Sequence, residues 1–164
     1  MGRSADYSKQ SCAVAASLHI IGEPWTLLIL RDAFGGVSRF EQWQESLGMA
    51  RNVLAARLKS LVAHGIFEPR LYCERPKRHE YVLTAKGFEL RPIIFHLADW
   101  GTRHIYGGDA PSVTMVHRDC GHALTPVTHC AQCEARLNLG DVLLKPIAAG
   151  RSLGEVFKAE SENA

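Results

Sequence analysis

Glycine interrupts residues 12–65 at four places, and the helix-like segments it leaves between them constrain the fold more than any other feature of the chain. Cys12 to Ile21 is small and apolar, with Ala, Val and Leu at near-helical spacing, and Gly22 follows as a helix stop. Pro24 suits a first helical turn, and Trp25 to Phe34 is apolar on nearly every side until Gly35-Gly36. This second segment is predicted to be the buried centre. Ser38 can cap a third helix, Arg39 to Leu47, in which Phe40, Trp43 and Leu47 fall at i, i+3 and i+7. Gly48 breaks it, and a fourth helix is predicted from about Ala50 to His64, with Leu54, Leu58, Leu61 and Val62 on one face and Gly65 as its stop. Helix, short glycine-containing turn, helix is the layout of a helix-turn-helix unit.

Two β-like runs follow, Ile66 to Tyr72 and Glu80 to Leu83, joined by a basic, proline-bearing tip over Cys73 to His79. Thr84 can cap a last long helix from Ala85 to about Ile105, along which Leu90, Ile93, Ile94, Leu97, Trp100 and Ile105 keep helical spacing and Pro92 should introduce a bend. That helix carries more apolar surface than so small a domain can cover, which predicts a second copy of the chain as partner. Gly107 to Pro111 reads as a linker. Beyond it, Val113 to Cys120, Ala123 to Thr128 and Val142 to Ile147 resemble short strands around a cysteine-rich knuckle, ahead of a polar tail from Lys158 expected to fray. No internal repeat is evident. The expected architecture is mainly α with a small β wing: a winged helix-turn-helix domain over residues 1–108, then a small β-rich, zinc-ribbon-like extension over 109–164.

Composition narrows the function classes. A chain of 164 residues, 46% hydrophobic, can bury one core and has enough left for a small second module. The longest apolar stretch, Trp25 to Leu30, is closed by Arg31 and Asp32, and Met1 to Gln10 lacks the apolar region of a secretion signal, so no membrane partner and a cytoplasmic location are expected. Residues 39–91 hold ten Lys/Arg against six Asp/Glu, a local +4, whereas 109–164 hold five against seven, a local −2. Positive charge in the middle suits a phosphate-binding surface there. Nothing resembles a phosphate-binding glycine loop, a nucleophile elbow or a coherent acid pair, so catalysis is not expected.

The five cysteines, Cys12, Cys73, Cys120, Cys130 and Cys133, are odd in number and clustered late, unlike a secreted disulfide framework. His117-x-x-Cys120 and Cys130-x-x-Cys133 form two ligand pairs nine residues apart. Thiolates with an imidazole in tetrahedral number are what structural Zn²⁺ prefers, and a tiny module with little core gains most from such a cross-link. His122 and His129 are competing ligands, and a metal-free hairpin is the alternative. A dithiol redox pair at Cys130/Cys133 is a further reading, but such a pair normally opens a helix in a thioredoxin-like βαβ unit, and the pattern around residues 115–140 is not of that kind.

Together these segments resemble the HxlR family of winged-helix regulators, relatives of MarR-type repressors. The likeness is carried by CAVAASLHIIG (12–22), WTLLILRD (25–32), GVSRF (36–40), RNVLAARL (51–58), YVLT (81–84) with Lys86-Gly87, and ADWG (98–101), in family order. Two departures stand out: Ala50 where the family usually has Ser, and Glu23-Pro24 where Gly-Lys is more usual. The resemblance implies a homodimeric regulator of transcription that binds double-stranded DNA, with a small molecule or oxidant as effector. It also aligns Cys12, at the start of the first helix where the macrodipole favours a thiolate, with the position at which some members resemble redox sensors. A buried place at the dimer seam is the alternative.

With Leu54, Leu58 and Leu61 facing the core, helical periodicity puts Asn52, Ala56, Lys59 and Ala63 on the opposite face. Small Ala55 and Ala56 allow close approach to base edges. Arg51 and Asn52 are the candidates for reading guanine and adenine, and Lys59 for phosphate. Arg75, Lys77 and Arg78 would lie on the backbone or minor groove, and Arg39 could reach phosphate or instead pair with Glu41. The bland alternatives are a solvated helix face and a charged turn, which would leave a winged-helix adaptor without DNA binding. Trp25, Trp43 and Trp100 are expected in core or dimer packing.

Overall fold

The computed structural model describes residues 6–7, 9–108, 114–138, 140–143, 152, 154–155 and 158. The elements are α1 (Ala13–Ile21), α2 (Thr26–Phe34), α3 (Phe40–Leu47), α4 (Arg51–Ala63), β1 (Phe67–Glu74), β2 (Lys77–Leu83), α5 (Ala85–Phe88) and α6 (Arg91–His104). The chain divides into two compact units, the first running to Leu90 and the second from Arg91 to Pro146. Among the described residues no single helix is long and apolar enough to cross a membrane.

In the first unit the core forms where the apolar stripes meet. Ile29, Leu30, Trp43, Leu54, Leu58, Leu61, Ile66 and Phe67 are all buried. Trp43 is the pivot: its indole N–H donates to the Ile29 carbonyl at 3.1 Å, joining α3 to α2. Its ring meets Phe67 edge-on at 5.7 Å and Tyr81 at 6.1 Å, joining α3 to the base of the hairpin. A tryptophan this deeply buried needs a partner for its N–H, and here it has one.

The helix ends follow backbone chemistry. Gly48 ends α3 in the left-handed region at φ 62°, its N–H donating to the Gln44 carbonyl at 3.0 Å, and the chain turns through Met49 and Ala50 into α4. Ala50, at the N-cap of α4, offers no side-chain hydrogen bond. Thr84 does the opposite at α5: its hydroxyl accepts from the Gly87 N–H at 3.0 Å and donates to the Gly65 carbonyl at 2.6 Å. Gly87 has no room for a side chain, since a Cβ would lie 2.3 Å from the Ile66 carbonyl oxygen.

Several expectations need correction. Ser38 does not cap α3; Arg39 holds the N-cap position and its backbone N–H donates to Gln42 Oε1 at 3.0 Å. The Ser38 carbonyl is instead taken by the Tyr81 N–H at 2.7 Å, because the chain there lies against the hairpin. Pro24 precedes the α2 N-cap, which is Trp25 at φ 75°. The single bent helix from Ala85 is two helices: the break falls at Glu89-Leu90, and Pro92 sits in the first turn of α6, where its missing N–H leaves no bond unmade. The strands are longer than alternation suggested, and the loop between them shrinks to Arg75-Pro76.

The extension over 109–164 shows turns in place of strands among its described residues. Single bridges, Val116 with Ala123 and His129 with Arg136, each close a tight turn, and Asp141 to Leu143 form no strand. Short polar segments with little to pack against do not form a ladder. The linker residues Asp109 to Pro111, Val113, the run from Leu144 to Ile147 and the whole tail after Lys158 lie outside the described residues.

Candidate nucleic-acid interface

Helix α4 presents two unlike faces. Leu54, Leu58 and Leu61 are buried, while Arg51, Asn52, Ala55, Ala56, Lys59 and Ala63 are exposed. The exposed face therefore carries cation and amide at its N-terminal end, then two methyl groups, then a cation one turn further on. That profile admits a groove wall closely while leaving hydrogen-bonding groups at the rim.

Arg51 is held rather than free. Its guanidinium lies over the Phe40 ring at 4.9 Å and one nitrogen is 3.5 Å from Gln44 Oε1, so residues of α3 aim the side chain that begins α4. Arg39 does not pair with Glu41; its guanidinium stacks on Tyr72 of β1 at 4.5 Å, and its backbone bridges to Glu80 of β2. Sequence reading missed Phe40, Gln44 and Tyr72 as positioning groups. The signal for the first two was the i, i+4 spacing that places them together on α3. Tyr72 had no such signal, because a β-bulge between Leu71 and Cys73 shifts its register. Arg57, also unmarked in the sequence, pairs with Glu23 at 3.0 Å, so the unusual Glu23 anchors α4 to the turn before α2.

The hairpin separates its cations. Register pairs Glu74 with Lys77 and Cys73 with Arg78, so Lys77 and Arg78 are successive strand residues pointing to opposite faces of the ribbon, with Arg75 at the turn. All three are exposed. Arg70, by contrast, is neutralised by Glu68 on the same strand. The basic tip is thus a two-faced ribbon end and not a single loop of charge.

The late cysteines form two separate pairs. His117 Nδ1 is 3.3 Å from Cys120 Sγ. The Cys130 thiol has its pKa lowered by the backbone N–H groups of Cys133 and Gln132 and by the Cys133 thiol. Among the described residues no three His, Cys, Asp or Glu side chains gather closely enough to hold one ion, so the four predicted ligands are brought together two by two. Cys12 is exposed at the N-cap of α1, and Cys73 faces partly to solvent in the hairpin. Of the three tryptophans only Trp43 is in the core; Trp25 and Trp100 are 42% and 52% exposed.

The HxlR-like helix-turn-helix family profile matches residues 20–108, which span α2 to α6 and include every element just described around α4. The chain belongs to the HxlR-like helix-turn-helix family. A Mycobacterium tuberculosis protein, named an uncharacterized HTH-type transcriptional regulator, is 38% identical over 148 residues, 90% of this chain and 89% of its own length. The crystal structure of PA1607, described as a transcription-factor candidate, superposes with a TM-score of 0.74 at 37% identity, covering 85% of this chain and 97% of that one. The redox regulator HypR in its reduced form matches with a TM-score of 0.54 at 27% identity and covers only 60% of this chain, although 100% of its own. Regulation of transcription through a winged helix-turn-helix fold is the function these relationships carry for this HxlR-like chain.

Proposed function

We propose that two copies of this chain bind duplex DNA, with α4 of each in a major groove and the β1–β2 hairpin on the backbone or in the adjoining minor groove. The observation that carries the reading is the exposed face of α4, where Arg51, Asn52, Ala55, Ala56 and Lys59 lie opposite the buried leucines, beside a hairpin ending in Arg75, Lys77 and Arg78. Arg51 and Asn52 read base edges. Lys59, Arg39 and the hairpin cations meet phosphate.

The dimer reading is supported by α6, on which Ile93, Leu97 and Trp100, at i, i+4 and i+7, are 46%, 49% and 52% exposed. Such an apolar stripe on a helix calls for a covering surface, and a second α6 supplies one by symmetry. In this reading residues 1–108 form the DNA-binding and dimerisation module, and the protein works in the cytoplasm. Cys12, exposed at the head of α1, is the thiol through which an oxidant would act, a role suggested by the likeness to a redox regulator.

Selection of bound sequences from random duplexes tests the core of the proposal. The expected result is a palindrome with half-sites about one helical turn, or a simple multiple, apart. In the recovered site, Arg51→Ala and Asn52→Ala should each cost ~1–3 kcal/mol and relax preference at their base pairs. Unchanged affinity in the double variant would remove α4 as the reading element. Absence of duplex binding even at low salt would instead favour a protein-interaction adaptor. For Cys12, the expected outcome is that Cys12→Ser abolishes the dependence of DNA affinity on added peroxide.

A further inference from the structure

The Cys-rich segment contains a backbone repeat that the side-chain sequence conceals. His117 corresponds to Cys130 and Cys120 to Cys133, 13 positions on. The His117 N–H donates to the His122 carbonyl at 2.9 Å, and the Cys130 N–H to the Ala135 carbonyl at 2.9 Å. Gly121 N–H to His117 carbonyl, and Glu134 N–H to Cys130 carbonyl, are both 2.8 Å. Leu124 N–H to Met115 carbonyl and Leu137 N–H to Thr128 carbonyl are again both 2.8 Å. The residue closing each turn is left-handed, Gly121 at φ 70° and Glu134 at φ 59°. A glutamate accepts that conformation only at a cost, so the turn geometry is being enforced rather than drifting.

Each of these turns presents two metal-type ligands on one side. In the first, His117 Nδ1 and Cys120 Sγ are 3.3 Å apart. In the second, Cys130 and Cys133 occupy the backbone positions equivalent to His117 and Cys120. Yet none of the described residues from Thr114 to Asn138 is buried. Two tightly defined turns, joined by a short segment and lacking any core, need a cross-link to remain ordered.

We infer that His117, Cys120, Cys130 and Cys133 together bind one structural Zn²⁺, the ion drawing the two turns against each other. The donor set of one imidazole and three thiolates in two x2-spaced pairs is a closed tetrahedral set with no position left for substrate. Binding replaces three thiol protons, so one Zn²⁺ and three S–H groups give a site of net charge −1 and three released protons. His122 and His129 are excluded by the repeat. In the first turn the ligand positions equivalent to Cys130 and Cys133 are His117 and Cys120, while His122 corresponds to Ala135 and His129 to Val116.

The test is elemental analysis of the full-length protein, purified from zinc-replete cells under reducing conditions and dialysed free of loose metal. About one zinc per chain is expected in the wild type and in Cys12→Ser, Cys73→Ser, His122→Ala and His129→Ala, falling below roughly a tenth in Cys120→Ser and Cys133→Ser. Because serine variants can misfold locally, cobalt titration of the wild type gives a second reading. It should produce the intense visible bands of tetrahedral cobalt with thiolate-to-metal charge transfer, and His117→Cys should keep the metal while shifting those bands. Zinc-free wild type that also fails to take up cobalt, full metal retention in Cys120→Ser, loss in His122→Ala, or a Cys130–Cys133 disulfide in place of metal would each overturn the assignment.

Discussion

The winged-helix unit and the Cys-rich segment achieve local order by opposite means. Around α4, order comes from burial: Trp43, Leu54, Leu58 and Phe67 leave water together, and the hydrogen bonds at the helix ends follow from that packing. From Thr114 to Asn138 order comes from short-range hydrogen bonds around two turns, with no buried side chain beneath them. A core tolerates change on its surface and punishes change inside. A turn-built segment has no inside, so its sensitivity should sit in its ligands and its left-handed residues.

Core truncation should separate the two regions most sharply. Leu58→Ala, which empties a fully buried position on α4, should cost about 2–5 kcal/mol in denaturant unfolding. Val127→Ala, in the Cys-rich segment at 43% exposure, should change stability by less than about 0.5 kcal/mol. Equal effects would erase the contrast. Gly87→Ala comes next, since the new methyl would strike the Ile66 carbonyl; thermal unfolding should register a loss of about 1–3 kcal/mol.

Charge offers a second contrast. Lys77→Ala with Arg78→Ala should weaken duplex binding about tenfold or more and flatten the slope of log affinity against log salt by about 4, two contacts from each protomer of the proposed dimer, whereas Arg118→Ala should leave that slope alone. A slope altered equally by Arg118→Ala would extend the DNA surface into the Cys-rich segment. Capping effects are smaller. Thr84→Ala should cost ~1 kcal/mol by removing the hydroxyl that accepts from Gly87, as read by urea midpoint. Ala50→Ser, which supplies the N-cap oxygen α4 lacks, should stabilise by about 0.5–1 kcal/mol in the same measurement.

The exposed face of α4 was legible because periodicity alone fixes what lies opposite Leu54, Leu58 and Leu61. The exposed set Arg51, Asn52, Ala55, Ala56 and Lys59 follows from 3.6 residues per turn once the core face is known. The groups that aim those side chains were not legible. Phe40 and Gln44 under Arg51, and Tyr72 under Arg39, meet their partners only after α3, α4 and the hairpin have packed. The hairpin tip was misjudged for a related reason: Lys77 and Arg78 look like loop residues in a charged run, but the ladder extends to Glu74–Lys77 and assigns them opposite faces.

Sequence by itself determined the order of the four helices α1 to α4, their glycine stops and the family to which the chain belongs, because these depend on local spacing and on residues with restricted or permissive backbones. Tertiary structure decided where the helix after Thr84 breaks, which cations share a face, and that His117–Cys120 and Cys130–Cys133 occupy equivalent turns. Those properties arise from hydrogen bonds and contacts between segments that one-dimensional spacing does not encode.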